Sequence, residues 1–375
     1  MKIFITGGAG FIGTNLVREL SLEDHEISVL DNLLPQIHGV NATFPVFEKN
    51  VKTIFGDIRD KKLINEILKE KFDIVFHLAA LTGVGQSMYD IREYVDVTSM
   101  GTANLLEGIV KSNNIPKKII LSSSRAVYGE GLSKCEYCDD IFYNGARKTD
   151  RLILGKWEHQ CPKCGNDGVP IPSEEDFQAK PTSIYGVSKY HQEELCKSVS
   201  VAYGIPLTIL RYFNVFGPGQ SPINPYTGVL SIFCRRLLNR QNIEIYEDGR
   251  EARDFVYIKD VVKANILAAK SDVRGTFNIC SGEQKSILEI AQDLAKIIEV
   301  PQKNIFISGN YRTGDIRHGI GSYKKAEIEF GYFPSTKIKM GLEDLVNWML
   351  TQNININGDV DLVAKKELKE RGLFL

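Results

Sequence analysis

The chain has 375 residues, and its 46 basic and 47 acidic side chains give a formal net charge of −1, which argues against a general nucleic-acid binder and a polybasic membrane anchor. Hydrophobic residues make up 43%, and no apolar run approaches the roughly 20 residues that span a bilayer, so a membrane protein is not expected. The apolar N-terminal stretch is too short for a secretory signal. We therefore expect a cytoplasmic protein of two domains or one enlarged domain.

The first part of the chain alternates short apolar runs with amphipathic stretches. Strands are predicted over Ile3–Thr6, Glu26–Leu30, Lys52–Phe55, Ile74–His77, Lys118–Leu121 and Pro206–Arg211. Helices are predicted over Gly10–Leu20, Lys61–Lys69, Gly101–Lys111 and Ser183–Tyr203. Strands separated by helices of this length imply an α/β fold of the Rossmann-like type, with a doubly wound parallel sheet.

The regular alternation of strands and helices ends at a turn-rich segment at residues 217–222, and shorter helices and strands follow. Beyond it, the clearest helices are predicted over Val229–Asn239 and Ile287–Ile298. We expect one domain over residues 1–214 and a smaller C-terminal lobe over 215–375, with parts of 254–280 returning to the first domain. Residues 131–174 fit neither pattern and hold four of the seven cysteines, so they are interpreted as an insert.

A glycine pattern directly follows the first predicted strand. Gly7, Gly10 and Gly13 have the spacing of a dinucleotide fingerprint, which provides a tight turn, a close approach to a pyrophosphate and close helix packing. The N-terminus of the next helix favours phosphate. Asp31 closes the second strand, where an acid accepts from ribose hydroxyls and repels a 2′-phosphate, so NAD is favoured over NADP. The alternative for Asp31 is a helix cap. Residues 1–214 are therefore expected to bind NAD.

Tyr185 and Lys189 lie four residues apart at the start of a long predicted helix and share one face of it. A free tyrosine has a pKa of about 10, and lowering it by three units takes about 4 kcal/mol. A nearby ammonium and an oxidised nicotinamide are able to supply this. We expect such a tyrosine to accept a proton from a sugar hydroxyl as hydride moves to the nicotinamide. The alternative is an accidental pair on a surface helix. His77 is interpreted as a buried packing residue.

Two Cys-x-x-Cys pairs lie in the insert, separated by 22 residues. The four thiolates of Cys135, Cys138, Cys161 and Cys164 predict one tetrahedral zinc site in a zinc-ribbon-like insert. Four ligands leave no position for water, so the zinc is expected to be structural. The alternatives are redox pairs or unliganded thiols. A zinc ribbon is also able to bind nucleic acid, but acidic residues offset the basic ones in this insert.

The motifs together resemble the NAD-dependent nucleotide-sugar epimerase/dehydratase family of extended short-chain dehydrogenases. The matching pieces are TGGAGFIG at 6–13, DNL at 31–33, GD at 56–57, LAA at 78–80, SSSRAVYG at 122–129, YGVSK at 185–189, RYFNVFG at 211–217, RDFV at 253–256 and RTGD at 312–315. They occur in family order along almost the whole chain. The resemblance implies the same fold, a bound NAD and a nucleotide-diphosphate sugar as substrate.

The resemblance also implies roles for particular residues. Ser124, Tyr185 and Lys189 would be catalytic. NAD would be bound by Gly7, Gly10, Phe11, Ile12, Gly13, Asp31, Asn32, Asp57, Ile58, Leu78, Ala79, Ala80, Ser122, Tyr185, Lys189 and Phe213. The sugar nucleotide would be bound by Ser87, Ser124, Asn214, Arg253, Arg312 and Asp315. Arginine suits a diphosphate because its donors form a fork, although Arg253 and Arg312 also fit simple surface residues.

Three departures from the family pattern bear on the reaction. Ser124-Arg125-Ala126 replaces the Thr-Asp-Glu of the dehydratases, so dehydration is not expected. Thr98 replaces the usual asparagine, which leaves one local hydrogen bond to the cofactor an open question. Tyr185 follows Ser124 by 61 residues because of the insert, which we expect to form a lid beside the sugar pocket.

The reaction implied by these features is epimerisation at C4 of a dTDP- or UDP-hexose through a transient 4-keto intermediate. The alternatives are a dehydrogenase, a reductase or a decarboxylase acting on the same kind of substrate. A non-catalytic NAD-sensing scaffold is a further alternative, against which the three catalytic residues count. The resemblance also implies a homodimer formed through the helices at Gly101–Lys111 and Ser183–Tyr203.

Overall fold

A seven-stranded parallel sheet forms the centre of the computed structural model, which describes residues 1–222, 224–226, 228–352 and 360–375. Its strands are β1 (Lys2–Thr6), β2 (Glu26–Asp31), β3 (Val51–Phe55), β4 (Ile74–His77), β5 (Lys118–Ser124), β6 (Leu207–Tyr212) and β7 (Gly275–Ile279). Their order is β7-β6-β5-β4-β1-β2-β3. The α/β fold with a parallel sheet is therefore confirmed, and the six strands predicted from apolar runs are all present.

The end of β5 differs most from the predicted strands. The sequence predicts its end at Leu121, but the strand continues through Ser122, Ser123 and Ser124, which pair with Leu210, Arg211 and Tyr212 of β6. The serines keep their backbone in the sheet because strand pairing requires no apolar side chain. The three hydroxyl-bearing residues are thus held on the sheet itself, which fixes their position more firmly than a loop would.

Alternate residues of β1 face two separate cores. Ile3 and Ile5 pack with Leu16 of the helix Phe11–Ser21, together with the helix Ile258–Lys270. Phe4 faces the other side and belongs to the core formed with the helices Lys61–Ile67, Gly101–Ser112 and Ile184–Tyr203. Short helices Pro35–His38, Val84–Ser87 and Ile91–Tyr94 and a π-helical turn Val95–Met100 complete this part. Covering both faces explains why the strands read as continuous apolar runs.

In its described residues, the C-terminal lobe contains helices and two small sheets. Its helices are Val229–Leu238, Ile287–Ile297, Lys324–Phe330, Ile338–Thr351 and Val360–Glu370, with a 3-10 turn at Gln302–Asn304. One sheet contains Asn214–Phe216, Ala252–Tyr257 and Gln284–Ser286, and the other pairs Ile243–Ile245 with Ile305–Ile307. Of the lobe predicted over 215–375, residues 223, 227 and 353–359 lie outside the described residues. The chain returns to the main sheet at Ile258–Lys270 and β7.

The insert forms a small antiparallel sheet from Leu132–Cys135, Asp140–Tyr143 and Val169–Pro170, with a helix at Thr149–Ile153. It follows a 3-10 turn at Arg125–Tyr128, directly after the end of β5. The insert therefore leaves the main sheet beside the serines of β5. None of the helices in the described part of the chain is long and apolar enough to cross a bilayer.

Candidate active site

The glycine turn after β1 brings the first long helix against the sheet. Gly7 has a φ of +71°, and a Cβ there would lie 2.8 Å from the backbone nitrogen of Ala79. A Cβ on Gly13 would lie 2.4 Å from the carbonyl oxygen of Gly7. Side chains are therefore excluded at both positions. The turn points the free N–H groups of the helix that begins at Phe11 toward the edge of the sheet, as a pyrophosphate site requires.

Asp31 ends β2 beside this turn. Its carboxylate accepts hydrogen bonds from the backbone N–H groups of Ala9 (3.0 Å) and Leu33 (2.9 Å), so its orientation is fixed. The neighbouring Asn32 donates to Asp57 (2.9 Å). Burial raises the pKa of Asp57, but hydrogen bonds from Arg59 and Asn32 outweigh it and lower this pKa to about 2. Asp57 is therefore an ionised group that orients Asn32 and Arg59.

A cleft of about 320 Å³ opens at the carboxyl ends of the strands. The predicted NAD-binding residues that line it are Gly7, Gly10, Phe11, Ile12, Gly13, Asp31, Asn32, Ile58, Leu78, Ala79, Ala80, Ser122, Tyr185, Lys189 and Phe213. Ser124 lines it as well, whereas Asp57 lies behind Asn32. The fold therefore brings the glycine turn, the acid of β2 and the three predicted catalytic residues to one cleft.

Tyr185 and Lys189 enter the cleft from the first turns of the helix Ile184–Tyr203. Ser183 caps this helix by accepting from the N–H of Gly186 (3.1 Å). The Lys189 ammonium is buried and donates to the carbonyl of Ser122 (2.5 Å) and to Gln192 Oε1 (2.6 Å). Burial lowers the pKa of Lys189 to about 8, although the charge of Glu193 opposes this.

Burial also raises the pKa of Tyr185, whereas its hydrogen bond with Ser124 acts in the opposite direction. The proton transfer predicted from the sequence requires a lowered pKa of Tyr185. The protein environment alone shifts this pKa the other way. A reactive phenolate therefore depends on positive charge brought into the cleft, for which an oxidised nicotinamide is suited.

A buried ion pair supports the serines of β5. Arg211 of β6 donates to both carboxylate oxygens of Glu193 (2.9 and 2.8 Å), and Ser123 donates to the same carboxylate (2.5 Å). Burial alone would raise the pKa of Glu193, but the bonds from Arg211 outweigh it and lower this pKa. The pair ties the helix of Tyr185 and Lys189 to β5 and β6. This ion pair was not predicted, because one acid and one arginine far apart in the sequence give no signal that they touch.

The predicted sugar-nucleotide residues other than Ser124 do not line the cleft. Ser87 is buried and donates to the carbonyl of Val84 (2.6 Å). Arg253 donates to the carbonyls of Ala252, Ile316 and Arg317 at 2.6–3.0 Å.

Arg312 stacks over the ring of Tyr246 (4.9 Å) and lies 3.9 Å from Asp315. The Oδ1 atom of Asn214 is buried without a hydrogen-bond partner among the described residues. The roles assigned to these residues stay predictions. The sequence analysis missed Gln220, Ser221, Asn224 and Tyr226, which do line the cleft. Gln220 and Ser221 lie in the turn-rich segment at residues 217–222, which was interpreted only as a boundary, and Asn224 and Tyr226 follow it.

Residues 3–148 and 161–280 match the model of the NAD dependent epimerase/dehydratase family. The residues between these two matches lie in the cysteine-rich insert. The chain is 36% identical over 354 residues to a dTDP-L-rhamnose 4-epimerase of Burkholderia thailandensis, covering 93% of this chain and 94% of that protein. It is 30% identical over 355 residues to a UDP-N-acetyl-alpha-D-glucosaminuronate decarboxylase of Bacillus cytotoxicus, covering 92% and 97%.

A solved structure shows the same likeness in three dimensions. The UDP-glucuronic acid 4-epimerase from Bacillus cereus, in complex with UDP-glucuronic acid and NAD, superimposes with a TM-score of 0.74. The two chains are 26% identical, and the match covers 93% of this chain and 99% of that one. The likeness therefore extends over both the sheet and the C-terminal lobe.

Proposed function

The chain belongs to the NAD dependent epimerase/dehydratase family, and we propose that it is a nucleotide-sugar 4-epimerase with a permanently bound NAD. The observation that carries the proposal is the convergence of Ser124, Tyr185 and Lys189 with the glycine turn in one cleft. Relatives named as 4-epimerases, among them the dTDP-L-rhamnose enzyme, support this reading. The substrate class is a dTDP- or UDP-hexose.

The residues of the cleft suit NAD. The glycine turn and the helix N-terminus would hold the pyrophosphate, and the fixed carboxylate of Asp31 would accept from the ribose hydroxyls. A second negative charge next to Asp31, as in NADP, would be repelled. When bound, NAD supplies a reversible hydride acceptor for C4 of the sugar.

The side chains of this protein would transfer the proton and bind the oxygen on C4 of the sugar. Tyr185 Oη takes the proton of the C4 hydroxyl, and Ser124 Oγ holds the same oxygen by a hydrogen bond. The Lys189 ammonium stabilises the negative phenolate. Rotation of the 4-keto sugar within the cleft would then present its other face, and Tyr185 would return the proton to the oxygen on C4.

A decarboxylase is the second candidate, because one relative at 30% identity carries that name. It would begin with the same oxidation at C4, and the keto group would then promote loss of a neighbouring carboxylate. A net dehydrogenase or reductase would instead consume cofactor in every turnover. The dehydratase reaction lacks a general acid and base here, since Arg125 and Ala126 occupy the corresponding positions.

Product analysis separates these candidates. The purified protein is incubated with UDP-, dTDP- and GDP-hexoses and with UDP-hexuronic acids, and the products are read by NMR. We expect inversion at C4 without added cofactor, and NAD in the supernatant after denaturation. Release of CO₂ from a hexuronic acid would favour the decarboxylase. A stoichiometric requirement for NADPH would overturn both the cofactor and the reaction class.

The cysteines of the insert are proposed to hold a structural zinc. The Sγ atoms of Cys135, Cys138, Cys161 and Cys164 all lie within 4.8 Å of one another, with Cys135 and Cys164 3.5 Å apart. A tetrahedral site with Zn–S bonds of about 2.3 Å requires sulfur separations of about 3.8 Å, so the four positions fit. Cys135 and Cys161 are buried, which would protect the metal from water.

The insert is joined to the C-terminal lobe by buried charges. Arg317 is fully buried and donates to Glu158 of the insert at 2.6 and 2.8 Å. Arg147 of the insert pairs with Glu247 of the lobe at 2.7 Å. Because Arg317 closely follows the predicted substrate-binding residues Arg312 and Asp315, these bonds support the proposal that the insert is a lid that orders the substrate side of the cleft.

The proposed function also bears on the domains, the oligomeric state and the location of the protein. We propose an NAD-binding domain over 1–214 and a sugar-nucleotide lobe over 215–375.

The helices Gly101–Ser112 and Ile184–Tyr203 would form a homodimer, supported by exposed apolar residues such as Met100, Val187 and Val201 at or near them. Light scattering should give twice the 42.1 kDa chain mass. None of the seven cysteines forms a disulfide, which fits the proposed cytoplasmic location, where thiols stay reduced.

A further inference from the structure

The ammonium of Lys189 is held from behind by two acceptors. An ammonium group has three N–H donors and no acceptor. Two of these donors are engaged by the Ser122 carbonyl (2.5 Å) and by Gln192 Oε1 (2.6 Å). Lys189 also lines the cleft, so its third donor is available on that side. A lysine side chain is otherwise long and flexible, and two fixed acceptors therefore define where its charge lies.

The contact with Lys189 determines the orientation of the Gln192 amide. Because an ammonium only donates, the amide oxygen must face Lys189 and the amide nitrogen must face the other way. That nitrogen lies 3.0 Å from His77 Nε2 and 2.8 Å from Thr102 Oγ1. Gln192 and Thr102 are fully buried, and His77 nearly so, so water does not compete for these bonds.

His77 is held through both of its ring nitrogens. Its Nε2 atom lies 3.0 Å from Gln192 Nε2 and 2.9 Å from Thr102 Oγ1, and its Nδ1 atom lies 2.7 Å from Thr6 Oγ1. Burial, with a contribution from the charge on Lys189, lowers the pKa of His77 to about 3, so this side chain is neutral. A continuous chain of hydrogen bonds runs from the core of β1 through His77 and Gln192 to the ammonium.

We propose that Gln192 is a positioning residue that fixes the ammonium of Lys189 toward the cleft, with neutral His77 as its rear support. The inference rests on the proposed catalytic role of Lys189. Gln192 lies one turn after Lys189 on a buried face of the helix, next to His77 of β4. The polar amide is explained by its bond to the ammonium.

The test compares two variants by their pH–rate profiles. Gln192→Leu removes the acceptor at similar volume, so we expect kcat to fall about 10- to 100-fold with KM within about twofold. The alkaline limb should move to lower pH, because the ammonium loses a bond that stabilises its charged form. Gln192→Glu keeps an acceptor and adds a negative charge, so its alkaline limb should move to higher pH.

The opposite movement of the two limbs distinguishes positioning from packing. The other titratable groups around Lys189 are Glu193 and Cys196 on its own helix, Tyr185 one turn earlier and His77 on β4. None of them changes in either variant. A packing role would lower stability and leave both limbs in place, and that result would overturn the inference. If Gln192→Leu fails to fold, the near-isosteric Gln192→Glu is sufficient for the test. An alkaline limb of Gln192→Glu at the wild-type pH would also overturn the inference.

Two further variants complete the experiment. Glu194→Gln removes a charge from an exposed position of the same helix, and its profile should match that of the wild type. Lys189→Met tests the proposed function itself. If Lys189→Met retains activity, the proposed catalytic role fails. If Lys189→Met is inactive while both Gln192 variants keep wild-type limbs, only the positioning inference fails.

Discussion

At the scale of single residues, Tyr185 carries the proposed proton transfer. Tyr185→Phe deletes one hydroxyl and keeps the ring, so NAD content should not change. Loss of the general base should lower kcat by roughly a thousandfold or more. The measurement is steady-state kinetics with NAD content determined after denaturation. Tyr190→Phe, a half-buried position on the same helix, is the matched control and should be active. Wild-type kinetics for Tyr185→Phe would remove this residue from the mechanism.

Glu251 gives a residue-scale prediction about pH and stability. Its Oε2 atom is buried without a hydrogen-bond partner among the described residues, and burial, with the charge of Glu247, raises its pKa to about 7. The folded chain therefore binds a proton that the unfolded chain releases above about pH 4.5. The resulting stabilisation is fully present below that pH and is lost as the pH rises through about 7.

Glu251→Gln keeps the shape of this side chain and removes its titration. Between about pH 4.5 and 7, the unfolding free energy of the wild type should fall relative to the variant by up to about 1.4 kcal/mol per pH unit. Urea denaturation at several pH values measures this difference. A constant difference between the two proteins across this range would show that Glu251 is ionised in the folded state.

At the scale of elements, we expect the folding of the insert to depend on one bound zinc ion. A segment of about 40 residues buries too little apolar surface to fold alone, so a metal would supply the missing stabilisation. Cys161→Ser should reduce zinc from about one per chain, raise KM for the sugar nucleotide and leave NAD bound. Metal analysis and kinetics measure these changes. Cys234→Ala, a buried cysteine outside the insert, should keep its zinc.

Two results would contradict the prediction for the insert. Well under one zinc per wild-type chain, with four freely reactive thiols, would exclude the metal site. A zinc-free Cys161→Ser with unchanged KM and kcat would exclude the lid and leave the insert a role in assembly or partner binding.

At the scale of the whole molecule, the sequence predicts local features better than distant contacts. The glycine turn at Gly7 and the Tyr185–Lys189 pair were predictable because each depends on neighbours along the chain. The strands were predictable because both faces of the sheet are covered. Gln192 and His77, by contrast, are 115 positions apart, and no local pattern in one sequence indicates that they touch. The same limit applied to the buried pair of Glu193 and Arg211.

The cleft shows the same division between local and distant information. Residues that follow strands of the sheet were predicted because the carboxyl ends of parallel strands meet at one edge. Gln220, Ser221 and Tyr226 were missed because they reach the cleft from an irregular segment, where no periodicity indicates which side chains turn inward.

Arg317 joins distant segments through charge and gives the last prediction. Its guanidinium donates to Glu158 of the insert and to Glu247 (3.0 Å) and Asp248 (2.7 and 3.0 Å) of the lobe. The backbone N–H of Arg317 donates to the carboxylate of Glu130 (2.8 Å), the residue that directly precedes the insert. A fully buried arginine satisfied in this way contributes little net stability, but its loss leaves several carboxylates without their counter-charge.

Arg317→Met should therefore lower the unfolding free energy by about 3–5 kcal/mol, as is usual when one partner of a buried ion pair is removed. Adding Glu158→Gln should recover part of the loss, because it removes one of the uncompensated charges. Arg18→Met, at an exposed helix position, is the control and should change stability by less than about 0.5 kcal/mol. Urea denaturation measures all three. Equal stability of Arg317→Met and Arg18→Met would show that the insert and the lobe are held together by other contacts.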